Sequence, residues 1–266
     1  MPRLGLGTWH MGETGTDRAS EVAALRAGLD LGLNLVDTAE MYGDGGAEEV
    51  VGEAIRGRRD EVYLVTKFYP HHASRKELMA ACDRSLERLG VDSVDLYLLH
   101  WRGRVPLAET VEALERLVEG GKVERWGVSN FDVADLEELR GLAGGDRLAA
   151  NQVLYNPARR GIEYDLLPWC REKRVGVMAY SPLDEGALVK DRRFATLAAE
   201  AGTTPATLAL AWVLRQDGVC AIPKAANVEH VRANAAARDF RIPEELLREI
   251  DRAFPPPARK QRLDII

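Results

Sequence analysis

Four polar residues in the first hundred positions have the side chains needed to deliver a proton to an oxygen atom. They are Asp37, Tyr42, Lys67 and His100. A tyrosine hydroxyl has an ordinary pKa of about 10, and a nearby lysine ammonium lowers that value toward working pH. Asp37 would hold such a lysine charged, and a histidine could donate a hydrogen bond to a substrate oxygen. This set indicates acid catalysis of the kind that carbonyl reduction requires.

Three of these residues end short apolar runs that have the alternating pattern of β-strands. The runs are 33–37, 62–67 and 95–100, and in each an apolar residue stands two positions before the final polar one. Because side chains alternate along a strand, these apolar residues share a face with the polar ends. If the strands are parallel neighbours, roughly 4.8 Å apart, the polar ends converge at one edge of the sheet.

The whole chain alternates between apolar runs and amphipathic helical stretches. Eight runs begin near Leu4, Leu33, Val62, Val94, Val123, Leu148, Val175 and Val219. Their spacing of about 30 residues is that of a β-α-β unit, which predicts an α/β fold with a parallel sheet, closed as a barrel or open and doubly wound. Eight units favour the (β/α)8 TIM barrel, and 266 residues suit one such domain spanning 1–266.

Helix boundaries are legible in several of the gaps between strands. The segment 74–90 opens on Ser74 as N-cap, with Glu77 three residues later, and closes on Gly90. The last gap predicts two helices, around 191–201 and 205–216, the second opening on Thr204 and a proline. Other helices are predicted to start at Asp17, Gly46, Leu107, Asp132, Ile162 and Asn227.

Composition excludes several classes of protein. A net charge of −6 with both signs interspersed does not indicate a nucleic-acid partner. No run approaches the roughly 20 apolar residues of a membrane span, and the first residues lack signal-peptide features, so we expect a cytoplasmic protein. The spacing of Cys82, Cys170 and Cys220 predicts reduced core residues. His10 stands where a dinucleotide-binding fingerprint beginning at Gly5 needs its third glycine, which excludes a Rossmann domain.

The chain resembles the aldo-keto reductases in segments spread over nearly its whole length. These are GLGTW at 5–9, NLVDTAEMYG at 34–43, TKF at 66–68, DLYLLHW at 95–101, GVSNF at 127–131, NQVLYNP at 151–157, AYSPL at 179–183 and IPK at 222–224. The resemblance implies an eight-stranded barrel and an NAD(P)H-dependent reductase of small aldehydes or ketones. It implies that Tyr42 is the general acid, that Asp37 and Lys67 tune it, and that His100 orients the carbonyl.

The resemblance also implies a cofactor site and a substrate mouth. The implied cofactor residues are Gly7, Thr8, Ser129, Asn130, Gln152, Tyr180, Ser181, Leu183, Lys224, His230 and Asn234. Among them, Tyr180 would stack on the nicotinamide and Lys224 would meet the adenosine 2'-phosphate. Trp9 and Trp101 would line the mouth. No metal is expected.

The chain departs from the aldo-keto reductase pattern around the 2'-phosphate. Ala225, Asn227 and His230 stand where many NADPH-preferring members have a small hydroxyl residue and an arginine. Histidine is mostly neutral at pH 7 and lacks the guanidinium fork of arginine. We therefore expect NADPH to be favoured through Lys224, with NADH also used.

Other departures concern the ends and loops of the barrel. The first strand begins near residue 4, so the hairpin that usually plugs the barrel bottom is expected to be absent or very short. Short segments at 101–107 and after Phe254 predict an open pocket for small substrates. Arg102 and Arg104 could attract an anionic substrate or could be solvated loop charges. His71 and His72 are expected to face solvent.

Less specific interpretations of the same residues stay open at this point. Asp37 and Lys67 could form a purely structural ion pair, since structural networks also perturb pKa values. A metal-dependent hydrolase using Asp37, Glu40 and His100 is not supported by any ligand spacing. The alternative function is a redox-sensing module that binds the cofactor and turns over slowly. We expect a monomer whose partner is a small carbonyl compound, with no membrane partner.

Overall fold

Eight parallel strands form the centre of the computed structural model, which describes residues 1–266. The strands are β1 (Gly5–Gly7), β2 (Leu35–Asp37), β3 (Tyr63–Phe68), β4 (Val94–Leu99), β5 (Val123–Ser129), β6 (Ala150–Leu154), β7 (Gly176–Tyr180) and β8 (Val219–Ala221). Each strand pairs with the next one along the chain. Parallel bridges from Leu4 to Ala221 and from Gly7 to Lys224 join the last strand segment to the first. The (β/α)8 barrel is therefore confirmed, and the open sheet is excluded.

Eleven α-helices connect the strands or follow the last one. They are α1 (Arg18–Asp30), α2 (Gly46–Ile55), α3 (Arg75–Leu89), α4 (Leu107–Glu119), α5 (Val133–Arg140), α6 (Leu166–Lys173), α7 (Ala187–Lys190), α8 (Arg192–Glu200), α9 (Pro205–Leu214), α10 (Val228–Ala235) and α11 (Glu244–Ala253). The two helices predicted for the last gap are confirmed as α8 and α9. None of the helices is by itself long and apolar enough to cross a membrane, although α8 and α9, bent by 83° at their junction, pass that test as a pair.

The helix ends test the capping predictions. Gly90 ends α3 in the left-handed conformation with φ of 65°, as predicted. Thr204 caps α9 by accepting a hydrogen bond from the Thr207 amide. The capping role predicted for the Ser74 side chain is wrong, because that side chain makes no capping bond. Glu109 on the neighbouring α4 accepts from the Arg75 amide instead.

The apolar side chains form two clusters that the strands separate. The smaller cluster fills the barrel interior and contains Leu35, Val65, Leu96, Leu98, Ala150, Met178, Cys220 and Ile222. The larger cluster lies between strands and helices. Strand alternation correctly predicted that Leu35, Val65 and Leu98 share one face. All three cysteines are buried and free.

The barrel closes where two backbones approach each other at a glycine. A Cβ atom on Gly7 would lie 2.6 Å from the carbonyl oxygen of Ile222. The Gly7 amide donates to the Pro223 carbonyl at 3.0 Å across the same seam. Before β1, Leu4 forms a single bridge, and no hairpin is seen in residues 1–4.

Candidate active site

An enclosed lysine near the end of β3 contacts the other polar residues of the first strands. Lys67 is 0% exposed, and its Nζ donates to Asp37 Oδ2 at 2.7 Å and to the Thr38 carbonyl at 2.8 Å. Its Nζ also lies 3.1 Å from Tyr42 Oη. The structure thus brings Asp37, Tyr42 and Lys67 together. Strand alternation predicts the meeting of Asp37 and Lys67, and Tyr42 reaches them from the turn after β2.

Strand ends and one short turn hold these residues in place. Asp37 is the last residue of β2 and pairs in register with Val65 of β3, two positions before Lys67. Tyr42 opens a 3₁₀ turn, and its amide donates to the Ala39 carbonyl. Strand pairing therefore places Asp37 and Lys67, and the 3₁₀ turn places Tyr42 beside them.

Burial outweighs the neighbouring charges in setting the pKa of Asp37 and Tyr42, whereas the neighbouring groups outweigh burial at Lys67. Burial raises the pKa of Tyr42 above its usual range, and the Lys67 ammonium only partly opposes that rise. Lys67 thus acts on the Tyr42 pKa in the expected direction, but burial outweighs it and the net pKa is raised. Burial alone would lower the pKa of Lys67, but Asp37 and Tyr42 raise it above its ordinary value, so the lysine is charged. Burial raises the pKa of Asp37, while Lys67 and Gln152 limit that rise.

His100 directly follows β4 and lies beside the tyrosine. The two rings are 5.7 Å apart between centroids, with an edge-on angle of 73°. Burial, helped by the charge of Lys67, lowers the pKa of His100 to about 2. Its buried Nδ1 has no hydrogen-bond partner in the protein. His100 is therefore a neutral imidazole at pH 7, able to donate one hydrogen bond and accept another.

A cavity of about 580 Å³ opens above these residues at the carboxyl ends of the strands. Its volume is in the range of small-molecule sites, which is roughly 300–1,000 Å³. Of the residues predicted for the site, those lining it are Gly7, Thr8, Trp9, Asp37, Tyr42, His100, Ser129, Asn130, Gln152, Tyr180, Ser181, Leu183 and Lys224. Lys67 does not line the cavity, but its Nζ lies 3.1 Å from Oη of the lining residue Tyr42. The position agrees with the general rule that barrel sites lie at this end.

One wall of the cavity carries a fixed set of polar groups from β5, β6 and β7. Tyr180 Oη donates to Asn130 Oδ1 at 3.0 Å, and Asn130 Nδ2 donates to the His100 carbonyl at 3.3 Å. Ser129 Oγ donates to the Gln152 carbonyl at 2.9 Å. Gln152 Nε2 donates to Asp37 Oδ1 at 2.8 Å, which leaves its Oε1 as an acceptor for a ligand. Asn130 adopts a left-handed backbone with φ of 61°, a conformation often found at functional sites.

Some predicted site residues lie outside the cavity lining. Trp101 is a rim residue, 37% exposed, whose ring stands 5.0 Å from that of His100. His230 is exposed on α10, where its Nδ1 contacts the Asn227 side chain. Asn234 is buried on the same helix. The structure therefore does not bring Trp101, His230 or Asn234 to the cavity wall.

Arg102 is engaged in a way that the sequence did not reveal. Its guanidinium donates to Asp135 at 2.7 Å and to both carboxylate oxygens of Glu138 at 2.8 Å. Neither Arg102 nor Arg104 lines the cavity. Arg102 ties the segment after β4 to α5 rather than facing a substrate.

Several residues that line the cavity were not predicted from the sequence. They are His10, Met41, Pro182, Glu185, Gly186, Ile222, Pro223 and Ile266. Most adjoin predicted residues in the chain, so neighbourhood alone could have suggested them. No local signal indicates Ile266, because the tail after α11 returns to the cavity and is held by Lys260, which contacts Asp165 at 2.8 Å. The tail thus adds one exposed residue, Ile266, to the cavity lining.

No group of three histidine, cysteine, aspartate or glutamate side chains in the chain could hold a metal ion. Glu40, one of the residues considered for a metal site, accepts hydrogen bonds from the Tyr69 amide and from His72. The hydrolase hypothesis therefore gains no support from the geometry.

Comparison with known proteins agrees with this geometry. The Aldo/keto reductase family model matches residues 3–254. The methylglyoxal reductase YeaE of Escherichia coli is 50% identical over 271 residues, covering 100% of this chain and 95% of that protein. The glyoxal reductase of Bacillus subtilis is 34% identical over 255 residues, which cover 94% of this chain and 88% of that protein. A Klebsiella pneumoniae aldo-keto reductase in complex with NADPH has a TM-score of 0.98 at 56% identity, covering 100% of this chain and 95% of that one. This chain belongs to the aldo/keto reductase family and is an oxidoreductase.

Proposed function

We propose that this enzyme reduces small aldehydes and ketones with NADPH, and that the proton comes from Tyr42. The observation that carries the proposal is the position of the Lys67 ammonium, in contact with both Asp37 Oδ2 and Tyr42 Oη beneath the cavity. A purely structural ion pair would not need a tyrosine hydroxyl as its third partner at a cavity wall. The names of the relatives point to α-dicarbonyl compounds such as methylglyoxal as substrates.

The cavity wall fits a nicotinamide cofactor. The free Oε1 of Gln152 and the remaining lone pair of Asn130 Oδ1 suit the two N–H donors of a carboxamide. Tyr180 is partly exposed, with its hydroxyl fixed by Asn130, so its ring can lie against a planar group. Gly186 adds no side chain to the lining, and Lys224 is an exposed cation in it. When bound, the reduced nicotinamide supplies the hydride.

Tyr42 is suited to act as a proton donor because it stays protonated at neutral pH. Its raised pKa keeps the hydroxyl neutral until a strongly basic oxygen develops on the substrate. Lys67 then stabilises the phenolate that remains, across the 3.1 Å contact with Oη. Asp37 holds the ammonium in place, and Gln152 fixes the second oxygen of that carboxylate.

His100 is suited to orient the carbonyl group. Its depressed pKa keeps the ring neutral, so it donates a hydrogen bond without competing as an acid. Its ring shares the cavity wall with that of Tyr42. Two donors converging on one oxygen stabilise the charge that develops there, which is the usual role of an oxyanion site.

The cofactor preference is proposed to be NADPH over NADH by a moderate factor. Lys224 is the exposed cation at the cavity, while Asn227 is occupied as the cap of α10 through the His230 amide. Exposed ion pairs contribute only about 0–1 kcal/mol. We therefore expect a ratio of kcat/KM for NADPH over NADH below about a thousandfold, which corresponds to roughly 4 kcal/mol. A larger ratio would rule out the relaxed preference.

The proposed reaction is tested by following NADPH absorbance with the purified enzyme and a panel of methylglyoxal, glyoxal and simple aldehydes. Sustained oxidation over many turnovers, without added metal, is the expected result. A single slow turnover would instead favour a redox-sensing module. No oxidation with any carbonyl compound would contradict the proposed function.

A further inference from the structure

A buried carboxylate next to the proton donor has no part in the reaction described above. Glu40 stands two residues before Tyr42, its side chain is 5% exposed, and it does not line the cavity. Its Oε1 accepts from the Tyr69 amide at 2.6 Å and from His72 Nδ1 at 2.8 Å. Burying a carboxylate costs free energy unless hydrogen bonds compensate it, so both contacts are needed to keep it there.

Glu40 joins the turn that bears Tyr42 to two other parts of the chain, the end of β3 and the segment that begins at Tyr69. Its own amide donates to the Lys67 carbonyl at 3.1 Å, which fixes the turn of Tyr42 to the end of β3. Its side chain fixes the segment that begins at Tyr69. His72, expected to face solvent, is instead half-buried by this contact.

Ring contacts connect the segment that begins at Tyr69 with His100, the residue proposed to orient the carbonyl. The ring of Tyr69 stands 6.0 Å from that of Trp101, edge-on. Trp101 in turn stands 5.0 Å from His100. The contacts of Glu40 thus connect the turn that bears Tyr42 with the aromatic wall beside His100.

From this arrangement, which rests on the proposed function for its catalytic consequence, we propose that Glu40 is a positioning residue for Tyr42. It clamps the turn 38–42 against the segment 69–72 and so sets the place of the phenol relative to the substrate oxygen. Displacements of about 1 Å at a reacting group can cost roughly a hundredfold in rate. Loss of the clamp should therefore appear in kcat.

The chemistry of the clamp predicts which substitution will preserve it. Both donors, the Tyr69 N–H and the His72 Nδ1–H, meet the same oxygen of Glu40. A glutamine side chain offers one carbonyl oxygen of the same reach, whereas alanine offers none. The clamp needs an acceptor at this place and does not need a negative charge.

The test compares Glu40→Ala, Glu40→Gln and a control, Glu115→Ala, in steady-state kinetics with methylglyoxal and NADPH. Glu115 also accepts from two donors, the indole of Trp126 and the guanidinium of Arg147, and none of these three lines the cavity. We expect Glu40→Ala to lower kcat by about tenfold to a hundredfold, with KM and NADPH affinity within about twofold. Glu40→Gln should keep kcat within about threefold of the wild-type value. The control Glu115→Ala should keep kcat within about twofold of that value.

A folded Glu40→Ala enzyme with a kcat within about twofold of wild type would overturn the proposal, as would an effect on KM alone. Failure of Glu40→Gln to rescue kcat would overturn the acceptor role. If Glu40→Ala does not fold, Glu40→Asp serves instead, because its shorter side chain keeps the charge but withdraws the acceptor. An unchanged kcat in Glu40→Asp would count against the clamp.

Hydrogen exchange gives a readout that does not depend on turnover. In Glu40→Ala the backbone amides of 38–42 and 69–72 should exchange faster by about tenfold or more, while those of α4 and α5 stay unchanged. Unchanged exchange in both segments would contradict the clamp even if the wild-type enzyme reduced no carbonyl compound. A wild-type enzyme without activity, but with the expected exchange, would contradict only the proposed function.

Discussion

At the residue scale, the site depends on a buried lysine, Lys67, that stays protonated only because its neighbours raise its pKa. Lys67 is fully enclosed, yet three oxygen atoms, from Asp37, Thr38 and Tyr42, surround its Nζ within 3.1 Å. Removing one partner of a buried ion pair typically costs about 3–5 kcal/mol, because the other charge is left unpaired. The same enclosure that makes the pair costly to break also keeps the tyrosine hydroxyl protonated.

The buried neutral histidine should make stability fall on acidification. The pKa of His100 is about 2 in the folded protein, below the ordinary 6.5, so between these values the unfolded chain binds a proton that the folded one does not. The contribution of neutral His100 to the free energy of unfolding is therefore fully present above pH 6.5 and declines as the pH falls. Chemical denaturation at several pH values between about 4.5 and 6 gives the slope of the free energy of unfolding against pH. This slope should be smaller by about 1.4 kcal/mol per pH unit in His100→Asn than in wild type. Equal slopes in wild type, His100→Asn and the exposed control His71→Asn would contradict the buried neutral state.

The residue types and their alternation predicted which polar groups converge, but the direction of the tyrosine pKa was beyond the sequence. Alternation fixes the face of a strand on which Asp37 and Lys67 lie. The pKa of Tyr42 depends on how completely other parts of the chain enclose its hydroxyl, and burial outweighs the ammonium there. Enclosure is a property of packing between distant segments, which no local pattern encodes.

At the scale of elements, the strands are predictable and the connecting segments are less so. The eight strand positions follow from apolar runs, and α9 follows from the capping residue Thr204 and the proline after it. The engagement of Arg102 could not be predicted, because Asp135 and Glu138 belong to a helix that follows the next strand. Sequence shows a charge in a loop, whereas only tertiary packing shows what neutralises it.

Lys224, in the segment after β8, is expected to distinguish NADPH from NADH. Lys224→Ala should weaken NADPH binding by up to about fivefold, or roughly 1 kcal/mol, and should change NADH binding by less than about 1.5-fold, since only NADPH carries the 2'-phosphate. Fluorescence titration of each cofactor measures the two dissociation constants. Lys76→Ala, a change of an exposed lysine on α3, is the control. Equal losses for NADPH and NADH would mean that Lys224 does not contact the 2'-phosphate.

At the scale of the whole molecule, closure of the barrel brings residues from both ends of the chain to one cavity. Gly7 and Lys224 meet at the seam between the first strand and the last, and Ile266 from the tail lines the same space. The repeat count predicted the barrel, since eight β-α units close on themselves. The return of the tail was not predictable, because its contacts, such as Lys260 with Asp165, join segments far apart in the sequence.

The seam itself should be intolerant of any side chain at Gly7. A Cβ atom there would meet the Ile222 carbonyl oxygen at 2.6 Å, so Gly7→Ala forces the two backbones apart. Overpacking of this kind typically costs about 1–3 kcal/mol. Urea denaturation should show a loss in this range for Gly7→Ala and a much smaller change for Gly161→Ala, where the nearest atom would lie at 3.4 Å. Equal stabilities of the two variants would contradict the tight closure.

Replacing Tyr42 with phenylalanine shows whether the Tyr42 hydroxyl delivers the proton during reduction. Tyr42→Phe keeps the ring and removes only the hydroxyl that Lys67 contacts. We predict that kcat for methylglyoxal falls by at least about a hundredfold, the scale of general acid catalysis, while the dissociation constant for NADPH stays within about twofold. A Tyr42→Phe enzyme that binds NADPH normally and keeps kcat within about threefold of wild type would mean that Tyr42 is not the proton donor.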